Sequence, residues 1–163
     1  LRSITGMKFT NVFGPNEKHK GPMRSMVLRS FEQITSRGYV ELFRSDRPEY
    51  ADGEQKRDFI YVKDVAQMIL ALMEHNAKGV YNIGSGRAES WNALATAVFN
   101  ALGKTPDIRY IDMPDTLKGK YQYFTKADMT KFNALNTGRG AHPLEKTVAD
   151  YVRNHLLPES REA

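Results

Sequence analysis

Lys20, Arg57 and Tyr121 are the side chains in this sequence whose type and setting can hold an anion or move a proton. Arg57 stands just before the apolar run at residues 59–62 and just after a polar loop, so a strand would fix its guanidinium in place. A planar fork held that way can grip a pyrophosphate through paired, charge-assisted hydrogen bonds. The same arginine can equally form an ion pair with Asp58 or Asp64, and spacing alone leaves both uses open. Lys20 and Tyr121 lie in glycine-bearing loops, where such residues are most often simply solvated.

The turn Gly84-Ser85-Gly86 follows the apolar run Val80 to Ile83. In dinucleotide folds a Gly-x-Gly after a strand lets backbone amides approach a pyrophosphate closely. The third glycine of that pattern is missing, which favours a plain strand-to-helix turn over a primary cofactor cradle. His19, His75, His142 and His155 have no metal-ligand spacing, and no metal site is expected. The chain has no cysteine, which removes disulfide and thiolate chemistry.

These side chains need a scaffold, and the composition bounds it. At 163 residues, 40% hydrophobic and 26% charged, the chain is sized for one compact domain over residues 1–163. Its net charge of +5 is scattered among 19 acids, with no dense basic tract, so a nucleic-acid partner is not expected. The short basic turns at Lys18 to Lys20 and Lys118 to Lys120 fit a phosphorylated small molecule better. The longest apolar run, Met68 to Met73, is too short to cross a bilayer. No secretory pattern is visible, and the expected location is cytoplasmic.

Hydrophobic periodicity predicts alternating strands and helices. A strand over the first residues ends at Gly14-Pro15; Pro22 opens a helix reaching about Arg37, with Met23, Met26, Val27, Phe31 and Ile34 on one face. A short strand holds Val40, Leu42 and Phe43, and a turn-rich loop spans Arg44 to Lys56. Arg57 to Val62 reads as a strand, with Asp64 capping a helix that runs to about Gly79. Ser90 caps a helix carrying Trp91, Leu94 and Val98, and Ile108 to Ile111 alternates as a strand. Thr125 and Asp128 resemble a capping box, and Pro143 opens a last helix with Leu144, Val148, Tyr151 and Val152. Because Leu1 is no start methionine and a strand begins almost at once, an upstream domain is expected to be missing.

Four motifs then carry a family resemblance: Asn11-Val12-Phe13-Gly14-Pro15, His19-Lys20-Gly21, Arg57-Asp58-Phe59 and Leu117-Lys118-Gly119-Lys120-Tyr121-Gln122. Together they resemble the ADP-L-glycero-D-manno-heptose 6-epimerases of the extended short-chain dehydrogenase/reductase group. The likeness runs from Met7 to about Leu156. The first and third motifs are shared widely among nucleotide-sugar epimerases and dehydratases, whereas the second and fourth are more specific.

The resemblance implies an α/β fold: the C-terminal, substrate-binding portion of a two-domain enzyme, with the N-terminal Rossmann domain absent. Residues 1–15 would complete that missing domain. The family's Gly-rich cofactor turn and Tyr-x-x-x-Lys pair have no counterpart here, since no tyrosine is followed by lysine at the fourth position. What the resemblance implies chemically is an ADP-heptose substrate and NADP, or NAD, as the hydride carrier, serving assembly of the lipopolysaccharide core. A homo-oligomer is implied too, pentameric in the family.

By the same matching Lys20 would be a catalytic acid/base beside the cofactor, with Val12 also touching that cofactor. Asn11, Pro22, Arg29, Phe43, Arg44, Ser45, Arg57 and Tyr121 would contact substrate, Arg57 at the phosphates. The chain departs from some members in having Pro22 where they have serine and Arg29 where they have histidine, and in a longer loop at residues 47–55. Two rivals stand beside this expectation: another nucleotide-sugar epimerase or dehydratase, and a catalytically silent nucleotide-sugar-binding module.

Overall fold

The computed structural model of the protein describes residues 4–161. Residues 1–3, Leu1 among them, lie outside the described residues; from Thr5 the single strand expected up to Gly14-Pro15 is instead two, broken at Thr10 because each half pairs with a different partner strand. Strands β1 (Thr5–Phe9) and β2 (Asn11–Phe13) come first, then a 3-10 turn (Lys18–Met23) and helix α1 (Met26–Arg37). Next are β3 (Val40–Phe43), β4 (Lys56–Arg57), β5 (Phe59–Tyr61) and α2 (Val62–Glu74). They are followed by β6 (Gly79–Ile83), β7 (Glu89–Ser90), α3 (Trp91–Ala101) and β8 (Ile108–Ile111). The chain continues through α4 (Thr130–Asn133), α5 (Leu144–Tyr151), a π turn (Val152–Leu156) and α6 (Leu157–Arg161).

The strands pair across long stretches of sequence. β1 runs parallel to β6, with Met7 opposite Tyr81, and β2 runs parallel to β5, with Asn11 opposite Phe59. β3 runs parallel to β8, and β4 runs antiparallel to β7, with Arg57 opposite Glu89. The mixture of parallel pairs and intervening helices is the expected α/β architecture. Phe31, Ile34, Val98, Phe99, Val148 and Tyr151 belong to one buried cluster, in which α1, α3 and α5 meet. Ile60, Met68, Ile83 and Phe132 belong to a second, under α2 and β6.

Caps explain the best-placed helices. The Ser25 hydroxyl oxygen accepts the Leu28 N–H at 3.3 Å at the start of α1, and Gly38, at φ 84°, closes its end. Ser90 accepts the Ala93 N–H at 3.1 Å and starts α3 as its sequence predicts. Elsewhere the expected boundaries move. Pro22 does not open α1 but sits in the 3-10 turn, and Met23, expected on a buried face, is 87% exposed. Its ring fixes a φ that suits the turn, while Ser25 offers the side-chain cap that Pro22 lacks.

Asp64 lies inside the first turn of α2 rather than capping it, because its carboxylate accepts the His142 N–H at 2.9 Å and pairs with that ring at 2.7 Å. α2 stops at Glu74 rather than near Gly79. Thr125 and Asp128 form no capping box. Thr125 Oγ1 accepts the Asp58 N–H at 3.4 Å, and Asp128 accepts the Thr130 N–H at 2.9 Å. The run Arg57 to Val62 is divided between β4 and β5, which pair with different strands. Among the described residues no helix is long and apolar enough to cross a membrane.

Candidate functional site

Arg57 is the organising side chain. It is only 6% exposed, yet among the described residues its guanidinium has no carboxylate partner; Nη1 donates to the Lys56 carbonyl at 2.8 Å. Aromatic rings take the place of an acid: the guanidinium carbon lies 5.2 Å from the Tyr121 ring centre and 5.8 Å from that of Trp91. Such contacts hold a cation without neutralising it. Burial lowers the Arg57 pKa from its ordinary value, but a guanidinium remains charged at any physiological pH.

Neither acid offered by the sequence as a partner is available. Asp64 is held by His142, and Asp58 is spent on the chain itself. The Asp58 carboxylate accepts the N–H groups of Ser85 at 2.7 Å, Gly86 at 2.9 Å and Ala127 at 2.9 Å. It also accepts the hydroxyls of Ser85 at 2.8 Å and Thr10 at 3.2 Å. The amides of the Gly84 to Gly86 turn therefore face an internal carboxylate. The close approach explains Gly84: a Cβ there would stand 2.6 Å from the Ala127 Cβ and 3.0 Å from Asp58 Oδ2.

Beside Arg57 opens a cleft of about 270 Å³, lined in part by Arg29, Phe43, Trp91, Ile111 and Tyr121. Alternation along β3 buries Val40 and Leu42, and the end of the strand, Glu41 to Phe43, lines this space. Phe43 meets Tyr121 edge-to-face with ring centres 6.2 Å apart. Burial raises the Tyr121 pKa, and the Arg57 charge opposes that rise only in part, so the phenol remains a neutral donor at neutral pH. A second cleft of about 290 Å³ is lined in part by Asn11, Val12, Met23 and Arg24. Met26 and Trp91 line both clefts and form the wall they share.

The structure thus gathers Arg29, Phe43 and Tyr121 in one cleft, next to Arg57, and Asn11 and Val12 in the adjoining one. It does not bring every expected residue to them. Arg44, next to Phe43, is exposed and pairs with Asp112 at 3.0 Å. The Ser45 N–H donates to Asp52 at 2.9 Å and its hydroxyl to the Arg47 carbonyl at 2.8 Å, away from the cleft lining. Lys20 and Pro22 lie exposed on the 3-10 turn, whose continuation through Met23 and Arg24 reaches the second cleft. The Asn11 side chain donates to the Asp58 carbonyl at 3.1 Å, which fixes its amide at the mouth of that cleft.

A larger cavity of about 610 Å³ lies elsewhere, against the Gly84 to Gly86 turn and residues 126–130. None of the expected site residues lines it, and its charged side chains are Lys126 and Asp128. Arg29 and Glu41 give the first cleft the same one-to-one balance, and what sets that cleft apart is Arg57 against its Trp91 and Tyr121 rings. Among the described residues no group of acids and histidines is arranged to hold a metal ion.

Two important side chains escaped the sequence. Trp91 read as a core residue of α3. At the first position of that helix it does pack against the core, its ring centre 5.0 Å from that of Phe59, but it also faces Arg57 and lines both clefts. The signal was available in its place directly after the Ser90 cap. Glu17 carried no signal at all, yet it is 3% exposed and accepts three hydrogen bonds.

Comparison with known proteins places the chain in a family. The family model described as the NAD dependent epimerase/dehydratase family matches residues 2–84. The chain is 48% identical over 157 residues to an ADP-L-glycero-D-manno-heptose-6-epimerase of Nitratidesulfovibrio vulgaris, covering 96% of this chain and 49% of that protein. It is 44% identical over 161 residues to the like-named protein of Fusobacterium nucleatum, covering 94% of this chain and 48% of the relative. The chain spans about half the length of the curated relatives it matches. Among solved structures, the Helicobacter pylori ADP-L-glycero-D-manno-heptose-6-epimerase superposes with a TM-score of 0.76 at 29% identity, over 94% of this chain and 44% of that one. A Thermotoga maritima UDP-glucose 4-epimerase with UDP-glucose gives 0.70 at 28% identity, over 94% and 47%. With the family model covering half of its length, this chain belongs to the NAD dependent epimerase/dehydratase family.

Proposed function

We propose that this chain is the nucleotide-sugar-binding portion of an ADP-L-glycero-D-manno-heptose 6-epimerase. The complete enzyme would invert the heptose at C6 by transient oxidation, for lipopolysaccharide core assembly. One observation carries the substrate class: a buried guanidinium, free of any carboxylate among the described residues, faces aromatic rings beside an open cleft. An uncompensated buried cation is costly, and a diphosphate is the complement that its fork fits. The names and identities of the relatives support ADP-heptose as the particular sugar nucleotide.

The residues present fit a nicotinamide cofactor at one end only. Val12, half-buried in the second cleft, and the Lys20 turn beside it would hold the nicotinamide end. The Gly84 to Gly86 amides are occupied by Asp58, so the cofactor's pyrophosphate needs groups beyond the described residues. NADP is the proposed form. When bound, the cofactor supplies reversible hydride acceptance at the sugar carbon.

The chain's own residues have three tasks. Arg57 anchors the diphosphate, with the Tyr121 phenol as a neutral donor at its side. Asn11, its amide fixed by the Asp58 carbonyl, orients the sugar end. Lys20 exchanges a proton with the sugar hydroxyl as the carbon is oxidised and reduced. The Tyr-x-x-x-Lys pair and a Rossmann domain would come from a region preceding this one. Support for that placement comes from β1 and β6, which leave Ile4, Met7, Phe9 and Val80 exposed on a parallel two-stranded sheet. Parallel sheets of this kind are ordinarily covered on both faces.

The test is steady-state kinetics of the complete protein with ADP- and UDP-sugars, alongside Lys20→Met. Turnover of ADP-heptose that falls by about 10²–10⁴-fold in the variant, with binding largely kept, is the expected result. Preference for a UDP-sugar would reassign the substrate, and near-normal turnover of the variant at saturation would remove Lys20 from the chemistry. Sugar-nucleotide binding by the unaltered protein with no turnover would support the silent module instead.

A further inference from the structure

The turn that carries Lys20 is tied down by one buried carboxylate. Glu17 Oε2 accepts the Ser25 backbone N–H at 2.8 Å. Its Oε1 accepts the Ser25 hydroxyl at 2.7 Å and the Tyr151 hydroxyl at 3.0 Å. The Glu17 carbonyl accepts the Lys20 N–H at 3.0 Å. One residue therefore joins the Lys20 turn, the cap of α1 and the middle of the C-terminal helical segment.

The geometry of the turn needs such a tie. Asn16 and Gly21 both have positive φ, 67° and 54°, conformations that a chain of L-residues adopts reluctantly. Gly21 accommodates this without a Cβ penalty, but glycine also leaves the turn free to rearrange when nothing holds it. A second link from the turn to the C-terminal helices is the Lys18–Glu159 ion pair at 2.9 Å, which is exposed and contributes little.

The chemistry of Glu17 points beyond simple packing. Its carboxylate is 3% exposed, its three donors are neutral, and no cation pairs with it among the described residues. A buried carboxylate is an expensive way to fill space, and it persists where hydrogen bonds compensate it in one arrangement only. Burial, with the Glu17 charge adding to it, raises the Tyr151 pKa, so that hydroxyl stays a donor. Tyr151 is itself fixed, 1% exposed, with its ring 6.4 Å from both Phe13 and Tyr61. Phe13 adjoins Asn11 and Val12 in β2, so the same tyrosine braces both sides of the second cleft.

We infer that Glu17 is a positioning residue for Lys20, and that it couples the C-terminal helix α5 to the proton-transfer group through Tyr151. The inference rests on the role proposed for Lys20. Glu17 touches no reacting atom. It sets where the Lys20 amine stands relative to the Asn11 and Val12 cleft, and it leaves the Arg57 cleft alone.

The experiment compares Glu17→Gln and Tyr151→Phe with the unaltered complete protein, by amide hydrogen exchange over residues 18–23, by kinetics and by calorimetry with ADP-heptose. Glutamine keeps the size of the side chain but turns a donor toward the Ser25 and Tyr151 groups. Phenylalanine keeps the ring and removes one donor. Exchange in the turn should rise in both, more in Glu17→Gln. Turnover should fall by about 10–100-fold, the scale of a misplaced catalytic group, while nucleotide-sugar affinity stays within about twofold. Unchanged exchange in both variants overturns the inference. So does faster exchange with full turnover, provided that Lys20→Met is inactive. Should Lys20→Met also retain turnover, the role of Lys20 is what has failed, and the coupling falls with it. A Glu17→Gln protein that does not fold leaves Tyr151→Phe to decide on the same readouts.

Discussion

Arg57 and Asp58 are neighbours in sequence, both buried, and used in opposite ways. Successive residues of an extended chain point to opposite sides, so the two charges face different surroundings. The Asp58 carboxylate is saturated from within, by the hydroxyls of Thr10 and Ser85 and the amides of Ser85, Gly86 and Ala127. The Arg57 guanidinium donates to one backbone carbonyl and otherwise meets two aromatic rings. A buried charge whose valences are filled by its own chain is architecture. One that meets only rings lining a cleft is suited to the ligand role proposed for it. The difference gives Asp58 an architectural place and supports the binding role proposed for Arg57, although burial alone would rank them together.

The comparison can be sharpened first at Asp58. Asp58→Asn replaces one acceptor oxygen with a donor that faces backbone N–H groups already committed to it. Stability should fall by on the order of 3 kcal/mol, read as a lower denaturant midpoint. A loss below 1 kcal/mol would mean that the turn does not depend on this carboxylate. Ser25→Ala, which removes the α1 cap and one Glu17 contact, should cost about 1 kcal/mol by the same measurement. An unchanged midpoint would show that the turn and helix hold without it.

The smallest effect is expected at the aromatic wall. Trp91→Phe keeps a ring against Phe59 but offers Arg57 a weaker π face. Affinity for the nucleotide-sugar should drop by about 0.5–1 kcal/mol, with little change in melting temperature. A purely structural tryptophan would give the reverse pattern, with a lower melting temperature and unaltered affinity.

Much of the architecture was legible because local rules and tertiary structure agree. Ser90, Gly38 and the alternation of Val40 and Leu42 each have one dominant local reading, and the structure keeps it. The misplaced boundaries have a common cause. Asp64, Thr125 and Asp128 look like caps, but Asp64 and Thr125 are drawn into long-range hydrogen bonds with His142 and Asp58, partners invisible in a linear pattern. Asp128 does turn to a nearby amide, only not the one the pattern names.

The site follows the same logic. Arg29, Phe43 and Tyr121 lie on α1, on β3 and in a late loop, and only the fold brings them to one cleft. Resemblance supplied that grouping, and periodicity could not. Trp91 and Glu17 were missed because a tryptophan on a helix and a glutamate in a loop have ordinary explanations until their neighbours are known. Arg44 and Ser45 stand beside Phe43 in sequence, but their side chains turn to Asp112 and to the Arg47 carbonyl, since a loop need not keep alternate side chains on one face.

The most direct test of the contrast is Arg57→Met in the complete protein, with stability and ADP-sugar affinity measured on the same sample. Methionine fills similar space and removes the charge. A charge held open for ligand predicts affinity weaker by about 2–5 kcal/mol by calorimetry. With the cost of an uncompensated buried cation removed, it also predicts a melting temperature unchanged or higher. A lower melting temperature with unchanged affinity would contradict this, and would return Arg57 to the same structural role as Asp58.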